Sequence, residues 1–352
     1  MRIGTDDLLG LISAEETFLR LSELAEKILQ MVYKEAWRRL VQRRGKPRNQ
    51  SGKDASFACF SGGKFGGREL VFGSDLDLFF VYEGEGHSGR THTTNSVFFI
   101  ELAQEIIHLL DAGALYEVDA RLRPEGGSAP MVISLPAYRR YLKNRASTWE
   151  RLALTRMRWV AGDPALGQRV QRAAHRFVFR SPVDAALIEE MLHVRRRMEP
   201  RQERGRPLQV DLKRGPGGLV DIEFIAQILV LKLGKKRRQL RLTNTRQVLA
   251  QTLQMGHLDE SQGHFLLDNY DRLREVEKAM RRVSNQASQL LPTGPELASL
   301  ARSVGQPDPE ALSREIQDLV RETRRIFTDL FAQFARGPKR NSTSAAGMNI
   351  AL

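Results

Sequence analysis

The stretch FGSDLDLFFVY, residues 72–82, sets two aspartates one residue apart inside a run of apolar residues. Alternate side chains of a β-strand share a face, so Asp75 and Asp77 point the same way while Leu76 and Leu78 point to the other side. Two carboxylates this close repel each other unless a cation neutralises them. The stretch therefore predicts a strand that holds divalent cations, Mg²⁺ or alternatively Mn²⁺. An edge strand with one solvated face is the structural alternative.

A second polar face follows in EVDARLRP, residues 117–124. If this segment is a strand, Asp119, Arg121 and Arg123 alternate onto one face. A third carboxylate beside the first pair would complete a site for two metal ions, and the two arginines would supply donors for phosphate oxygens. A surface row of ion pairs is the alternative interpretation.

A glycine-rich turn, SGGKFGG at residues 61–67, precedes the aspartate pair. Gly62 and Gly63 permit the backbone to approach phosphate groups closely, and Lys64 adds a positive charge. The turn is not the phosphate loop of P-loop ATPases, because Phe65 stands where that loop has serine or threonine after its lysine. Two glycines, eleven further residues and then Asp-x-Asp on a strand indicate a phosphate-handling site.

The order of predicted elements indicates an α+β domain with a small mixed β-sheet, followed by an all-helical bundle domain. Strand signals largely stop after about residue 137, apart from a short segment at 209–213. The predicted elements are a helix at 14–42, strands at 56–60, 76–82 and 115–123, an exposed loop at 83–90, a helix at 96–113, and helices from 136 to 335. The predicted parts are an N-terminal helical segment and linker (1–50), the sheet-containing domain (51–165), the helical domain (166–336) and a disordered tail (337–352).

Composition indicates a protein of the reducing cytoplasm. The 352 residues contain one cysteine, Cys59, which excludes an internal disulfide framework and a cysteine-based zinc site. No apolar run approaches the roughly 20 residues that span a membrane, and the first residues do not read as a signal peptide. The net charge is +13, with basic runs at 38–48, 194–206 and 235–241. Aromatic residues hardly interleave with these runs, so we do not expect nucleic acid as the partner and interpret each run as a solvated helix face.

Four stretches in order resemble the glutamine synthetase adenylyltransferase family, within the DNA polymerase β-like nucleotidyltransferase superfamily. They are GKFGGRELVFGSDLDLFFVY (63–82), VDARLRPEGG (118–127), TWERLALTRMRWVAGD (148–163) and DLKRGPGGLVDIEFIAQ (211–227). The resemblance implies that 51–165 is a polymerase β-like nucleotidyltransferase domain. It also implies transfer of AMP from ATP to a tyrosine hydroxyl of glutamine synthetase by a two-metal, in-line mechanism.

The resemblance and the residues together give a set of expected site residues. The catalytic and metal-binding residues are Asp75, Asp77 and Asp119. The nucleotide-binding residues are Gly62, Gly63, Lys64, Ser74, Arg121, Arg123, Lys213, Gly217 and Gly218. The last two precede a predicted helix, whose free N–H groups suit phosphate. Glu223 on that helix is expected to pair with a structural arginine in preference to nucleotide.

Family members are built as two related units in tandem, one adenylylating and one removing AMP, and this chain carries one set of the motifs. The sequence GGLVDIEF at 217–224 resembles the adenylylating unit, so we expect adenylylation. Removal of AMP by phosphorolysis, which yields ADP, is the first alternative. The second is a non-catalytic module that binds glutamine synthetase or a PII-type signalling protein. Such a module would be expected to lose Asp75, Asp77 or Asp119, and all three are present.

Overall fold

The computed structural model describes residues 2–124, 130–200, 209–284 and 289–336, which contain seven β-strands and thirteen α-helices. The strands are β1 Pro47–Asn49, β2 Phe57–Ser61, β3 Leu76–Tyr82, β4 Gly86–Ser88, β5 Val118–Asp119, β6 Val132–Ser134 and β7 Arg158–Gly162. The helices are α1 Arg2–Leu8, α2 Ala14–Arg44, α3 Gly63–Gly67, α4 Asn95–Ala112, α5 Leu135–Asn144, α6 Thr148–Thr155, α7 Pro164–Val178, α8 Ala185–Met198, α9 Leu219–Leu233, α10 Thr245–Gln254, α11 Glu260–Ser284, α12 Gly294–Ser303 and α13 Pro309–Arg336. The tail predicted at 337–352 lies outside the described residues.

A five-stranded mixed sheet forms the centre of the first part of the chain, and the small mixed sheet predicted from the sequence is confirmed. β2 and β3 are antiparallel, and β7 is antiparallel to β2 on the other side. Along the free edge of β3, the short strands β5 and β6 both run parallel to it. Because β3 has neighbours on both edges, it is not the edge strand that the alternative interpretation required.

Both faces of the sheet are covered, which explains why β3 reads as a nearly continuous apolar run. On one face, the rings of Phe57 and Phe80 stack at 5.7 Å, and Tyr33 of α2 stacks on Phe57 at 6.1 Å. Helix α4 packs on the same side. On the other face, Phe60 and Phe79 stack at 5.1 Å and join the core of the helical part. The sheet is therefore a layer between two sets of helices.

Helix α9 is central to the helical part of the chain. Its sequence, LVDIEFIAQILVLKL, is apolar on nearly every side, a pattern typical of a fully buried helix. It packs against α6, α10, α11 and α13. None of the described helices has the length and apolar character that crossing a bilayer requires.

Two of the predicted strands differ in the structure. The strand predicted at 115–123 is reduced to Val118–Asp119, because the Arg121 N–H donates to Asp119 Oδ1 at 2.9 Å and turns the chain. The segment predicted at 209–213 contains no strand and forms only an isolated bridge between Asp211 and Leu290. Alternation of residue types reveals neither the contact between Arg121 and Asp119 nor the bridge to Leu290.

Four strands, β1, β4, β6 and β7, occur where the sequence predicts none. β4 lies inside the predicted loop at 83–90 and pairs with β1. β7 lies beyond residue 137, where strand signals stop, and forms the edge of the main sheet beside β2. Gln30 of α2 donates to the Val160 carbonyl at 3.1 Å, so α2 supports this edge strand from outside. Short strands of this kind depend on a partner that is distant in sequence.

Candidate active site

Three carboxylates lie at the start of β3 and the end of β5. Asp77 and Asp119 are direct partners in the parallel register of these strands, and the exposed Asp75 immediately precedes β3. Burial raises the pKa of Asp77 to about 6, and the charges of Asp75 and Asp119 raise it in the same direction. The charges of Lys213 and Arg156 oppose this shift. The structure thus brings all three predicted carboxylates together, on one side of the sheet.

The glycine turn closes over Asp77. The Gly62 N–H donates to the Asp77 carbonyl at 3.0 Å. Gly63 has a positive φ of 49°, and a Cβ at this position would overlap Asp77 Oδ2 and lie 2.9 Å from Asp77 Cγ. A side chain at Gly63 is therefore excluded both by backbone conformation and by the carboxylate.

Gly63 and Gly73 form a matched pair for testing this contact. Both have positive φ, but a Cβ on Gly73 meets nothing within 4 Å. We expect Gly73→Ala to cost about 1 kcal/mol from backbone strain alone. Gly63→Ala should cost roughly 2 kcal/mol or more, since overlap with the carboxylate adds to the strain. It should also lower Mn²⁺ affinity at least about tenfold, whereas Gly73→Ala should not. Urea unfolding and Mn²⁺ titration measure these effects, and equal behaviour of the two variants would contradict the role of Gly63.

The two arginines after Asp119 do not share a strand face with it, contrary to the prediction. The exposed Arg121 turns back, and its Nε donates to both carboxylate oxygens of Asp119 at 2.9 Å. This guanidinium lowers the pKa of Asp119. The Nη1 of Arg123 donates to the Ala120 carbonyl at 2.6 Å. The strand ends at Asp119, so alternation along the chain no longer governs where these side chains point.

The carboxylate set suits a hard divalent cation, which prefers oxygen ligands. Burial raises the pKa of Asp77 and the neighbouring carboxylates add to the shift, so a bound cation would favour its charged form. As placed, no three acidic, histidine or cysteine side chains of the described ranges stand close enough together to enclose a metal ion. The contact between Arg121 and Asp119 provides a reason, because it engages both oxygens of one expected ligand. The three carboxylates are donors of the kind that a divalent cation needs, and metal binding by them stays a prediction.

A cluster of cations adjoins the carboxylates. Lys64 forms an ion pair with Glu277 of α11, and Arg274 of the same helix also donates to Glu277. Burial lowers the pKa of Lys64 to about 8; Glu277 opposes this shift, and the charges of Arg274 and Lys213 reinforce it. Burial alone would raise the pKa of Glu277, but Lys64, Arg274 and Lys213 outweigh it and lower the pKa to about 2. Glu277 is thus a carboxylate anion among three cations.

The chain is similar to known proteins along nearly its whole length. A family model described as glutamate-ammonia ligase adenylyltransferase matches residues 1–173, and one described as GlnD PII-uridylyltransferase matches 186–331. Three curated relatives are named bifunctional glutamine synthetase adenylyltransferase/adenylyl-removing enzyme. That of Thioalkalivibrio sulfidiphilus is 35% identical over 99% of this chain, that of Methylococcus capsulatus 32% over 94%, and that of Nitrosococcus oceani 34% over 94%. The chain belongs to the glutamine synthetase adenylyltransferase family. It spans only 36%, 35% and 35% of these relatives' lengths.

The family motif at 211–227 is held together by the buried ion pair between Asp221 and Arg195 and by hydrogen bonds around it. Gly217 has a φ of 78°, and its N–H donates to Asp221 Oδ2 at 2.7 Å. A Cβ at Gly217 would lie 2.9 Å from the Val320 Cα of α13. The Gly218 N–H donates to the Gly215 carbonyl at 3.0 Å. Both N–H groups are therefore used within the loop and its helix, and phosphate binding by these glycines stays a prediction.

Two further family positions have protein partners. The buried Ser74 accepts a hydrogen bond on Oγ from the Val71 N–H at 3.1 Å, within the turn that leads into Asp75. Glu223 pairs with Arg156 at 3.4 Å, and Arg156 also pairs with the buried Glu69. The structural arginine predicted for Glu223 is confirmed.

Residues of α11 are the part of the site that sequence reasoning missed. Arg274 and Glu277 are charged residues in a helix with many other charges, and no motif distinguishes them. Their only sequence signal is position: they lie three residues apart, which places them on one helix face. That face reaches the glycine turn only after the chain has folded.

The raised pKa of Asp77 predicts a pH-dependent stability in metal-free protein. Its pKa in the unfolded chain is about 3.9, so the folded state binds a proton more readily and gains stability as pH falls through about 6. Asp77→Asn removes this dependence. At pH 7 we expect the variant to be more stable than the wild type by on the order of 2 kcal/mol, and the difference should approach zero near pH 4. Urea unfolding in EDTA at several pH values measures it, and a difference independent of pH would contradict the assignment.

Proposed function

We propose that this chain transfers AMP from ATP to a tyrosine hydroxyl of glutamine synthetase, on a polymerase β-like nucleotidyltransferase fold. The observation that carries the proposal is the register pair Asp77–Asp119, with Asp75 beside it and the Gly62–Gly63 turn closed over Asp77. Family membership supports the reaction, since the curated relatives carry this activity in their names. A cytoplasmic location fits a reaction that consumes ATP.

The chemistry is an in-line displacement at the α-phosphorus of ATP. The tyrosine oxygen gives up its proton, which Asp119 would help to accept, and forms a bond to that phosphorus. The bond from the phosphorus to the oxygen that bridges to the β-phosphate breaks, and pyrophosphate leaves. Asp75, Asp77 and Asp119 would hold two Mg²⁺ ions, with Mn²⁺ as the alternative. Bound divalent ions activate the attacking oxygen and stabilise charge on the phosphates. A tyrosine hydroxyl has a pKa of about 10, so this help is needed near neutral pH.

The chain's own residues bind and orient the substrates. Because Gly62 and Gly63 carry no side chain, their backbone lies close against Asp77, where a triphosphate held by the carboxylates would bind. Lys64 and Lys213 supply positive charge to the departing pyrophosphate. Lys64 is paired with Glu277 in this structure, so a triphosphate must compete with that carboxylate for the ammonium group. Ser74, Arg121 and Arg123 flank the carboxylates in sequence and complete the proposed nucleotide site.

A direct experiment separates the two directions of the reaction. The chain is incubated with glutamine synthetase and α-³²P-labelled ATP with Mg²⁺, and label on the protein is counted. In parallel, adenylylated glutamine synthetase is incubated with phosphate and ADP formation is followed. We expect label transfer and no ADP. ADP formation without label transfer would assign the adenylyl-removing reaction instead, and neither product would overturn the proposed function.

A second candidate is a regulatory contact with a PII-type protein. The match of residues 186–331 to a family described as PII-uridylyltransferase favours it. A purely non-catalytic role is disfavoured by the presence of Asp75, Asp77 and Asp119. Titration of the chain with a PII protein, followed by calorimetry, tests this contact separately from AMP transfer.

A further inference from the structure

A groove with a volume of about 290 Å³ runs between α5 and α7. Its lining contains four cations and no acidic residue. The cations are Arg139 and Lys143 of α5, Arg176 of α7, and Arg180 just after α7. All four side chains are exposed. The groove shares no residue with the carboxylate site.

The positive charge continues beyond the groove at its Arg180 end. Lys235 donates to the Arg180 carbonyl at 3.4 Å, and the Arg241 guanidinium lies 4.3 Å from the centre of the Phe179 ring. We call Arg139, Lys143, Arg176, Arg180, Lys235 and Arg241 the basic surface. It joins two segments that are about sixty residues apart in sequence.

The cations of the basic surface lack acidic partners. In the part of the chain that the structure describes, none of the six forms an ion pair with a carboxylate. Some cations elsewhere are paired: Arg44 of α2 pairs with Glu101 at 2.7 Å, and Arg325 of α13 pairs with Glu322 at 2.6 Å. The basic surface therefore brings together six cations that have no carboxylate partner among the described residues.

Helix stability does not explain the arrangement. Lys143 and Arg176 lie near helix C-termini, where a cation is favourable. Arg139 and Lys143, however, are four residues apart on α5, a spacing at which like charges destabilise a helix. The charges also act on their neighbours, since burial and the charge of Arg241 together lower the pKa of His175. A surface with this electrostatic cost suits an anionic partner.

The chemistry of the surface favours a protein over a nucleic acid. The aromatic side chains nearest the cations in sequence are buried, so they offer no stacking platform for bases. They are Tyr138, Tyr141, Phe177 and Phe179. Helix α5 has ten residues and is therefore about 15 Å long. This length is short for binding along a nucleic-acid duplex but is long enough to contact a cluster of carboxylates. Arginine forks pair with carboxylates through two parallel hydrogen bonds.

We propose that the basic surface docks an acidic face of the protein substrate, at a distance from the carboxylate site. This inference rests on the proposed function, in which the second substrate is a protein. A protein substrate needs contacts beyond one tyrosine to be recognised, and this surface supplies long-range attraction that raises the rate of encounter.

The test compares two double charge reversals. Arg139→Glu/Arg176→Glu changes the basic surface, and Lys27→Glu/Lys34→Glu makes the same change in total charge at two exposed, unpaired lysines of α2. We expect the first variant to lower kcat/KM for AMP transfer to glutamine synthetase at least about tenfold, mainly through KM, and the second to stay within about twofold. The Kd of a fluorescent ATP analogue should stay within about twofold in both, because neither pair lies in the nucleotide site. Equal loss in both variants would overturn the proposal, since bulk charge would then explain it.

A separate binding experiment tests this inference independently of the proposed function. If the wild type transfers no AMP, the proposed function fails, and binding of labelled poly-L-glutamate then tests the surface alone. We expect the wild type and the Lys27→Glu/Lys34→Glu variant to bind it, and Arg139→Glu/Arg176→Glu to lose at least about tenfold in affinity. Tighter binding of a 20-base-pair duplex, lost in the same variant, would assign the surface to nucleic acid and overturn the proposal.

Discussion

Asp77→Asn is expected to lower AMP transfer about 10³-fold, which corresponds to about 4 kcal/mol of lost transition-state stabilisation. Asp77 lies between the other two carboxylates, directly beside Asp119 in register and under Gly63. An amide at this position keeps the shape of the side chain but removes the charge that holds a divalent ion. Label transfer from α-³²P-labelled ATP measures the loss.

The control for this prediction is Asp111→Asn, an exposed carboxylate near the end of α4. It should retain activity within about twofold, since it lies outside the site. Far-UV circular dichroism should show both variants folded, and in EDTA at pH 7 Asp77→Asn should be the more stable of the two. Activity of Asp77→Asn within tenfold of the wild type would refute the metal-site assignment.

Asp221→Ala is expected to destabilise the protein by roughly 3–5 kcal/mol, the largest stability effect that we predict. Asp221 is fully buried, pairs with the fully buried Arg195, accepts the Gly217 N–H at 2.7 Å and contacts Arg324 at 3.1 Å. Truncation leaves the buried Arg195 guanidinium with only the more distant Glu199, at 3.5 Å, and a buried N–H without its acceptor. The midpoint of urea unfolding at constant slope measures the change.

Asp318→Ala provides the matched control on α13. Asp318 also pairs with an arginine, Arg321, but its side chain is 66% exposed, so we expect a change of about 0–1 kcal/mol. If the two substitutions had similar effects, the buried pair would not organise the 211–221 loop. The same loop carries Lys213, so Asp221→Ala should also weaken nucleotide binding, through a less ordered lysine.

Strand β3 was predictable because its signal is local, whereas the glycine turn predicted at 61–67 contains the short helix α3. The two-residue period of a strand places Asp75 and Asp77 on one side whatever the rest of the chain does, and β3 is observed at the predicted 76–82. Glycine is needed at position 63 because the backbone there has a positive φ. It is also needed because a side chain would overlap the Asp77 carboxylate, which is fourteen residues away in sequence. Helix α4 is likewise observed within one residue of its predicted ends.

The predicted strand at 115–123 shows where local reasoning fails. Alternation suggested that Asp119, Arg121 and Arg123 share a face, but Arg121 hydrogen-bonds back to Asp119 and ends the strand. A hydrogen bond from a side chain to the backbone competes with the backbone pairing of a β-strand, and the two differ by a small free energy. Residue types alone do not show which of them is favoured.

By itself, the sequence determined the α+β class, the carboxylate strand and the family, since each depends on neighbouring residues or on ordered motifs. Tertiary structure alone decided that Asp119 stands beside Asp77, that Glu277 holds Lys64 across 213 residues of chain, and that unpaired cations of two distant segments form one surface. The physical reason is that register, burial and ion pairing depend on which elements pack together, and that choice minimises the free energy of the whole chain.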